Sequence, residues 1–136
     1  MAHRTLVAVE IDNGFKSIYV HKGSDLSSLL PTYHSTPELA RLLVSYGDAY
    51  CIEKNTENNT DYHHGWDECM RQPDISVYYG RDKHEQGTGA MTHNSYVELM
   101  NFIYADLDSY DDYYLYCNGV WRILLQNTRK WEWLTA

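Results

Sequence analysis

Between Asp61 and Cys69 the chain reads Asp-Tyr-His-His-Gly-Trp-Asp-Glu-Cys, a stretch rich in the nitrogen, oxygen and sulfur donors that hold Zn²⁺ in tetrahedral geometry. The candidate ligands are His63, His64, Asp67 and Cys69. Their spacing argues against a rigid site, because adjacent histidines diverge in either a strand or a helix. Neither HExxH nor a paired CxxC occurs. The stretch therefore reads as a solvated loop, no cofactor is expected, and a metal-dependent enzyme is only an alternative.

A second cluster, Arg81, Asp82, Lys83, His84 and Glu85, is followed past two glycines by His93. Carried between a strand and a helix, it could be a binding loop, and the N-terminus of the following helix could receive an anion. A mobile charged loop is the plainer reading. The grammar of a Walker motif or a dinucleotide fingerprint is missing, so a sponge for a nucleotide signal, held by Arg81, Lys83 and nearby aromatic rings, is an alternative without a motif behind it.

Catalysis has less support. There is no GxSxG elbow, and although His21 and His34 could each act as a general base near neutral pH, a histidine hydrogen-bonded at a strand end explains them as well. No enzyme activity is expected. The acidic residues Asp106, Asp108, Asp111 and Asp112 raise the idea of a DNA mimic, but Asp111-Asp112 also suits a helix-to-strand turn.

These groups need elements to position them. The segment 3–21 alternates apolar residues on either side of Asn13-Gly14, and the segments 113–117 and 120–125 do so around Asn118-Gly119. Asn-Gly tolerates positive φ at both turn positions, which a right-twisted ribbon favours, so two hairpins bracket the chain. Leu6 and Ala8 alternate with Val7 and Val9, which predicts an inner strand apolar on both faces. Strand 2, from about Lys16 to His21, sets Ile18 and Val20 against Ser17, Tyr19 and His21.

Ser24-Asp25 predicts the start of a short helix that Pro31 closes. Thr36 or Ser35 can cap a second helix with Pro37 in its first turn and Gly47 at its end, its stripe being Leu39, Leu42, Leu43 and Tyr46. Residues 53–74 read as a long irregular loop, and Ile75 to Tyr79 as a short strand. Asn94-Ser95 caps a third helix whose stripe is Tyr96, Leu99, Met100, Ile103 and Leu107. Lys130 to Leu134 adds an edge strand. The order β-β-α-α-β-α-β-β predicts a single α+β domain over 1–136, with a mostly antiparallel sheet and helices packed on one face.

Composition narrows the function. A net charge of −8 opposes binding to phosphate backbones, so nucleic acid is disfavoured as a partner. No apolar run approaches the roughly 20 residues that cross a bilayer, and the N-terminus lacks the pattern of a secretion signal, which predicts a cytoplasmic protein with no membrane contact. Three cysteines, Cys51, Cys69 and Cys117, without paired spacing read as reduced thiols. Thirteen tyrosines and four tryptophans supply rigid amphipathic area suited to protein contacts, and equally suited to paving a half-buried sheet.

The opening AHRTLVAVEIDNGFKSIYVH, the TPELARLLVSYGD segment, the central YYGRDKHEQ and the closing YYLYCNGVWRIL together resemble a family of small accessory proteins of tailed bacteriophages and prophages. The chain departs from that pattern after His21, where Lys22-Gly23-Ser24-Asp25 replaces the family's Trp and Tyr-Pro. The resemblance implies an early, non-structural protein in the host cytoplasm that binds a host or defence-system protein. The predicted binding residues are Tyr78, Tyr79, Arg81, Asp82, His84 and Trp121, and exposed edge strands make a homodimer an expectation as well.

Overall fold

A computed structural model describes residues 4–23, 26–57, 75–82, 85–105, 109–125 and 130–133. The elements are β1 (Thr5–Ile11), β2 (Gly14–Lys22), α1 (Leu26–Tyr33), α2 (Pro37–Ser45), β3 (Ala49–Cys51), β4 (Val77–Tyr78), β5 (Met91–His93), α3 (Tyr96–Ala105), β6 (Asp112–Cys117), β7 (Val120–Leu125) and β8 (Lys130–Trp133). The α+β class holds. One sheet runs in the order β4-β3-β2-β1-β6-β7-β8, with β5 pairing β2 beside β3. Antiparallel pairs predominate, but β1–β6 and β2–β3 are parallel, so the sheet is mixed. The α1-α2 crossover accounts for β2–β3, since a parallel neighbour needs a connection long enough to return to the same end.

Helices cover both faces, which corrects the expected one-sided arrangement. Val7, Val9, Ile18 and Val20 join Leu26 and Leu30 of α1 and Ala40, Leu43 and Val44 of α2 in one core. Leu6, Ala8 and Phe15 join Leu99, Met100 and Ile103 of α3 in another. The cause is already present in β1, which alternates apolar residues toward both sides and leaves each needing its own cover.

The two Asn-Gly pairs behave differently. At the second, Asn118 (φ 54°) and Gly119 (φ 81°) are both left-handed between the paired Cys117 and Val120, as a primed turn requires. At the first, Ile11 pairs with Gly14, so Asp12 and Asn13 make the loop, and Asn13 is not left-handed. Gly14 (φ 146°) is needed for another reason: a Cβ there would collide with the carbonyl oxygen of His93 in β5.

Thr36 caps α2 by accepting the Leu39 N–H at 3.2 Å, with Pro37 opening the helix. Its buried face is Ala40, Leu43 and Val44, whereas Leu39 is 40% exposed. Several apolar residues fit helical spacing in so short a helix, and packing across β1 selects among them. α1 continues through Pro31 to Tyr33, and the ladder resumes beyond the proline with His34 N–H donating to Leu30 O at 3.0 Å. At α3, Ser95 Oγ accepts the Glu98 N–H (3.1 Å) while the Glu98 carboxylate accepts the Asn94 N–H (2.9 Å), a variant of the capping box. Tyr96, placed in the stripe of α3 by its spacing, is 44% exposed, and Leu107 lies outside the described residues.

β3 and β5 have only three residues each, too few to produce a periodic signal, and both lie on the β2 edge opposite β1. Within the expected 53–74 loop, Asn55 bridges Ile75, and residues 58–74 lie outside the described residues. Among the described residues no helix is long and apolar enough to cross a membrane.

Candidate functional site

The described members of the sequence-predicted binding set, Tyr78, Tyr79, Arg81, Asp82 and Trp121, do not form one surface. Tyr78 is completely buried and donates its hydroxyl to Leu43 O at 2.6 Å. Trp121 is 2% exposed and donates its indole N–H to His34 O at 2.8 Å. Four strands, β3, β2, β1 and β6, separate β4 from β7.

Arg81 is a structural clamp. Its Nε and Nη2 donate to the Asp82 carboxylate, both at 3.0 Å, while Nη1 donates to Thr56 O (2.6 Å) and Nη2 to Ser76 O (2.9 Å). The guanidinium also lies 4.8 Å from the Tyr46 ring centre and 4.9 Å from that of Tyr78. Asp82 in turn accepts the Tyr78 N–H at 2.8 Å. A guanidinium so engaged holds the β4 edge and has little left for a phosphate. His84 and Lys83 lie outside the described residues, as do His63, His64, Asp67, Cys69, Asp106 and Asp108.

The remaining candidates also serve the fold. Asp111 Oδ2 accepts the Arg4 N–H at 2.9 Å, closing the entry to β1. Lys16 and Arg41 line an open groove of about 440 Å³, but Arg41 pairs with Asp12 at 3.3 Å and bonds Glu10 O. Among the described residues that line it, none is an aromatic ring on which a base could stack. Among the described residues no group of His, Cys, Asp and Glu side chains is arranged to hold a metal.

His34 is 1% exposed, and its Nε2 donates to Glu53 O at 2.8 Å, which leaves Nδ1 as an enclosed acceptor with no hydrogen-bond partner among the described residues. Burial holds its pKa below the usual 6.5, against the pull of the Glu53 carbonyl. His93, 2.8 Å from Ser17 Oγ through Nε2, is lowered by burial too, with Glu98 opposing. A depressed folded-state pKa contributes stability that is whole above pH 6.5 and is lost as pH falls from there through the folded value. Urea unfolding between pH 7.5 and 5.5 is therefore expected to show an unfolding free energy that falls below about pH 6.5, by up to roughly 1.4 kcal/mol per pH unit for each ring. A flat profile would contradict it.

Functional geometry lies on the α3 side of the sheet, which is divided along the strands. α3 packs near Phe15 and β5, whereas the end of this face near β3 and β4 is paved with rings. Tyr19 shares a 2.8 Å hydrogen bond with His21 Nδ1; His21 stacks on Tyr50 at 5.5 Å and 20°; Tyr50 meets Tyr79 edge-on at 6.3 Å; and Tyr110 lies 6.0 Å from Tyr19. Pairing explains the row: β2 and β3 run parallel with Val20 opposite Ala49 and Lys22 opposite Cys51, so His21 and Tyr50 fall side by side. All five rings are half-buried. Lys22 Nζ rests 5.4 Å from the Tyr50 ring centre.

Where this row meets α3 there is a cavity of about 190 Å³, lined in part by Ser17, Tyr19, Asp48, Met91, Phe102 and Tyr110. Asp48 Oδ1 accepts the Tyr19 N–H at 2.9 Å, and burial raises its carboxyl above the usual 3.8 while that bond works against the shift. Burial, followed by the influence of Tyr19, Glu85 and Asp48, pushes the Tyr79 hydroxyl up to about 12, and Glu85 Oε2 is enclosed without a hydrogen-bond partner among the described residues. Of these residues the sequence-predicted binding set holds only Tyr79. Tyr19 and His21 were legible as one strand face, but Tyr50 and Asp48 fell in or beside a stretch without periodicity.

Comparison with protein-family models, with curated proteins and with solved structures finds no match to this chain.

Proposed function

We propose that this protein acts by binding a protein partner through the face carrying Tyr19, His21, Tyr50, Tyr79 and Tyr110. The observation that carries this reading is the row itself: five aromatic rings, in contact with one another and half-exposed, on the end of a sheet face beyond α3. Such rings offer area at small entropic cost, and each tyrosine adds a polar tip for a partner's hydrogen bond. With a net charge of −8, the partner surface that fits is basic. The resemblance to phage and prophage accessory proteins supplies the class of partner, a host or defence-system protein met in the host cytoplasm.

The test is capture from host lysate by the whole chain, followed by the same assay on variants. Tyr50→Ser combined with Tyr79→Ser is expected to lower affinity for the captured protein at least tenfold, while Leu39→Ser, on the opposite face, leaves it unchanged. Raising the salt concentration should weaken capture. The reading fails if the double variant binds like the parent, or if Leu39→Ser alone abolishes binding.

A further inference from the structure

We infer that the cavity between Tyr19, Asp48, Phe102 and Tyr110 is a binding site for an organic ammonium group. A cation replaces its hydration shell most effectively where a carboxylate supplies charge and aromatic faces supply the negative side of their quadrupoles. Both are present. Phe102 comes from α3, Tyr19 from β2 and Tyr110 from the segment before β6, so three separate parts of the chain bring rings to one cavity that also holds Asp48. Tyr19 and Tyr110 lie 6.0 Å apart at 53° to one another, an open angle and not a closed stack.

Asp48 is held in place by the fold. Its Oδ1 takes the Tyr19 N–H (2.9 Å), its own N–H donates to Thr88 O (2.7 Å), and its carbonyl accepts the Tyr79 N–H (3.1 Å). A second carboxylate, Glu85, acts electrostatically with Asp48 on the Tyr79 hydroxyl but is not among the residues that line the cavity. Arg4 acts electrostatically on Tyr19 but does not line the cavity. The volume, about 190 Å³, suits a small organic head and not a single water. The negative charge of the whole chain draws cations toward it.

This site deepens the binding reading and rests on the same face. The ligand chemistry it selects, an alkylammonium, occurs both as the lysine side chain of a basic partner and as a free amine.

The experiment is an amide NMR titration of the intact protein with tetramethylammonium, propylammonium and tert-butyl alcohol, the neutral isostere of tetramethylammonium. Saturable shifts at Tyr19, Asp48, Gly87 and Gly89 are expected with the cations, at affinities at least tenfold above that of the alcohol. Asp48→Asn, whose amide oxygen can still accept the Tyr19 N–H, should reduce cation affinity at least tenfold while the remaining spectrum stays folded. Alcohol binding equal to the cations, or no saturable shift, overturns the inference. A lysine peptide and a putrescine-type diamine then separate the two sources: tighter peptide binding supports the site as a lysine receptor, and tighter diamine binding supports it as a small-amine site. Lost protein capture with cation binding intact would sink only the preceding reading, whereas indifference to charge would sink only this one.

Discussion

Arg81→Met is expected to lower the unfolding free energy by about 3–5 kcal/mol, the range seen when one member of a buried ion pair is removed. The Arg81 side chain is 19% exposed and that of Asp82 7%, so the carboxylate left behind cannot recover its hydration. Thr56 O and Ser76 O lose their donors at the same time, and Tyr46 and Tyr78 lose the cation that lies over both rings. Arg81→Lys should restore only part of the loss, since an ammonium cannot reproduce the planar fork on Asp82. Combining Arg81→Met with Asp82→Asn, whose amide oxygen can still accept the Tyr78 N–H, should cost less than Arg81→Met alone, because no orphan charge remains. Urea unfolding of the four variants, counting the parent, checks this. A single-variant loss under about 1 kcal/mol would mean that Asp82 is solvated.

Trp121→Ala is expected to cost about 3–5 kcal/mol, the usual range for deleting a buried large aromatic side chain. The indole meets Tyr116 edge-on at 5.1 Å and 62°, and the two side chains hold neighbouring carbonyls of the α1-α2 linker: His34 O from Trp121 at 2.8 Å, and Ser35 O from Tyr116 at 3.1 Å. Together they fasten the helical layer to β6 and β7. Trp121→Phe retains most of the volume but deprives His34 O of its donor, so a smaller loss of about 1–3 kcal/mol is expected. Hydrogen exchange gives a second readout: amides of α1 near His34 should lose protection in both variants, and more in Trp121→Ala. Equal and negligible losses would show that the linker is held elsewhere.

Both predictions concern residues whose types suggested contact with a partner, and the reason they turned inward is instructive. A tyrosine or tryptophan in an alternating strand can pave a core or meet a partner, and its spacing does not distinguish the two. Tyr78 and Trp121 fall on strand faces covered by the helical layer of α1 and α2. Tyr79, one residue on, belongs to the other face and keeps part of its ring in solvent. Arg81 is likewise a charge in a hydrophilic stretch until Thr56 and Ser76 bring carbonyls to it from 25 and 5 residues away.

Other features were readable because they are local. The primed turn at Asn118-Gly119, the Thr36 cap with Pro37 behind it and the Ser95 cap each involve a few consecutive residues. The alternation of β1 correctly marked an inner strand, and also held the reason for a second helical layer. At Asn13-Gly14 the same dipeptide led to a different turn, because β5 crosses near Gly14 and a contact distant in sequence governs the backbone there.

By itself, then, the amino-acid order determined the α+β class, two hairpins, two helix caps and a net negative charge, since each follows from local backbone preferences or from charge summed over the chain. Only the tertiary structure decided that Arg81 and Trp121 are structural, that Tyr50 stands beside His21, and that Asp48 shares a cavity with Phe102 and Tyr110. Those outcomes depend on strand pairing and layer packing between residues tens of positions apart. Solvent exposure, on which binding depends, is settled only when those layers close.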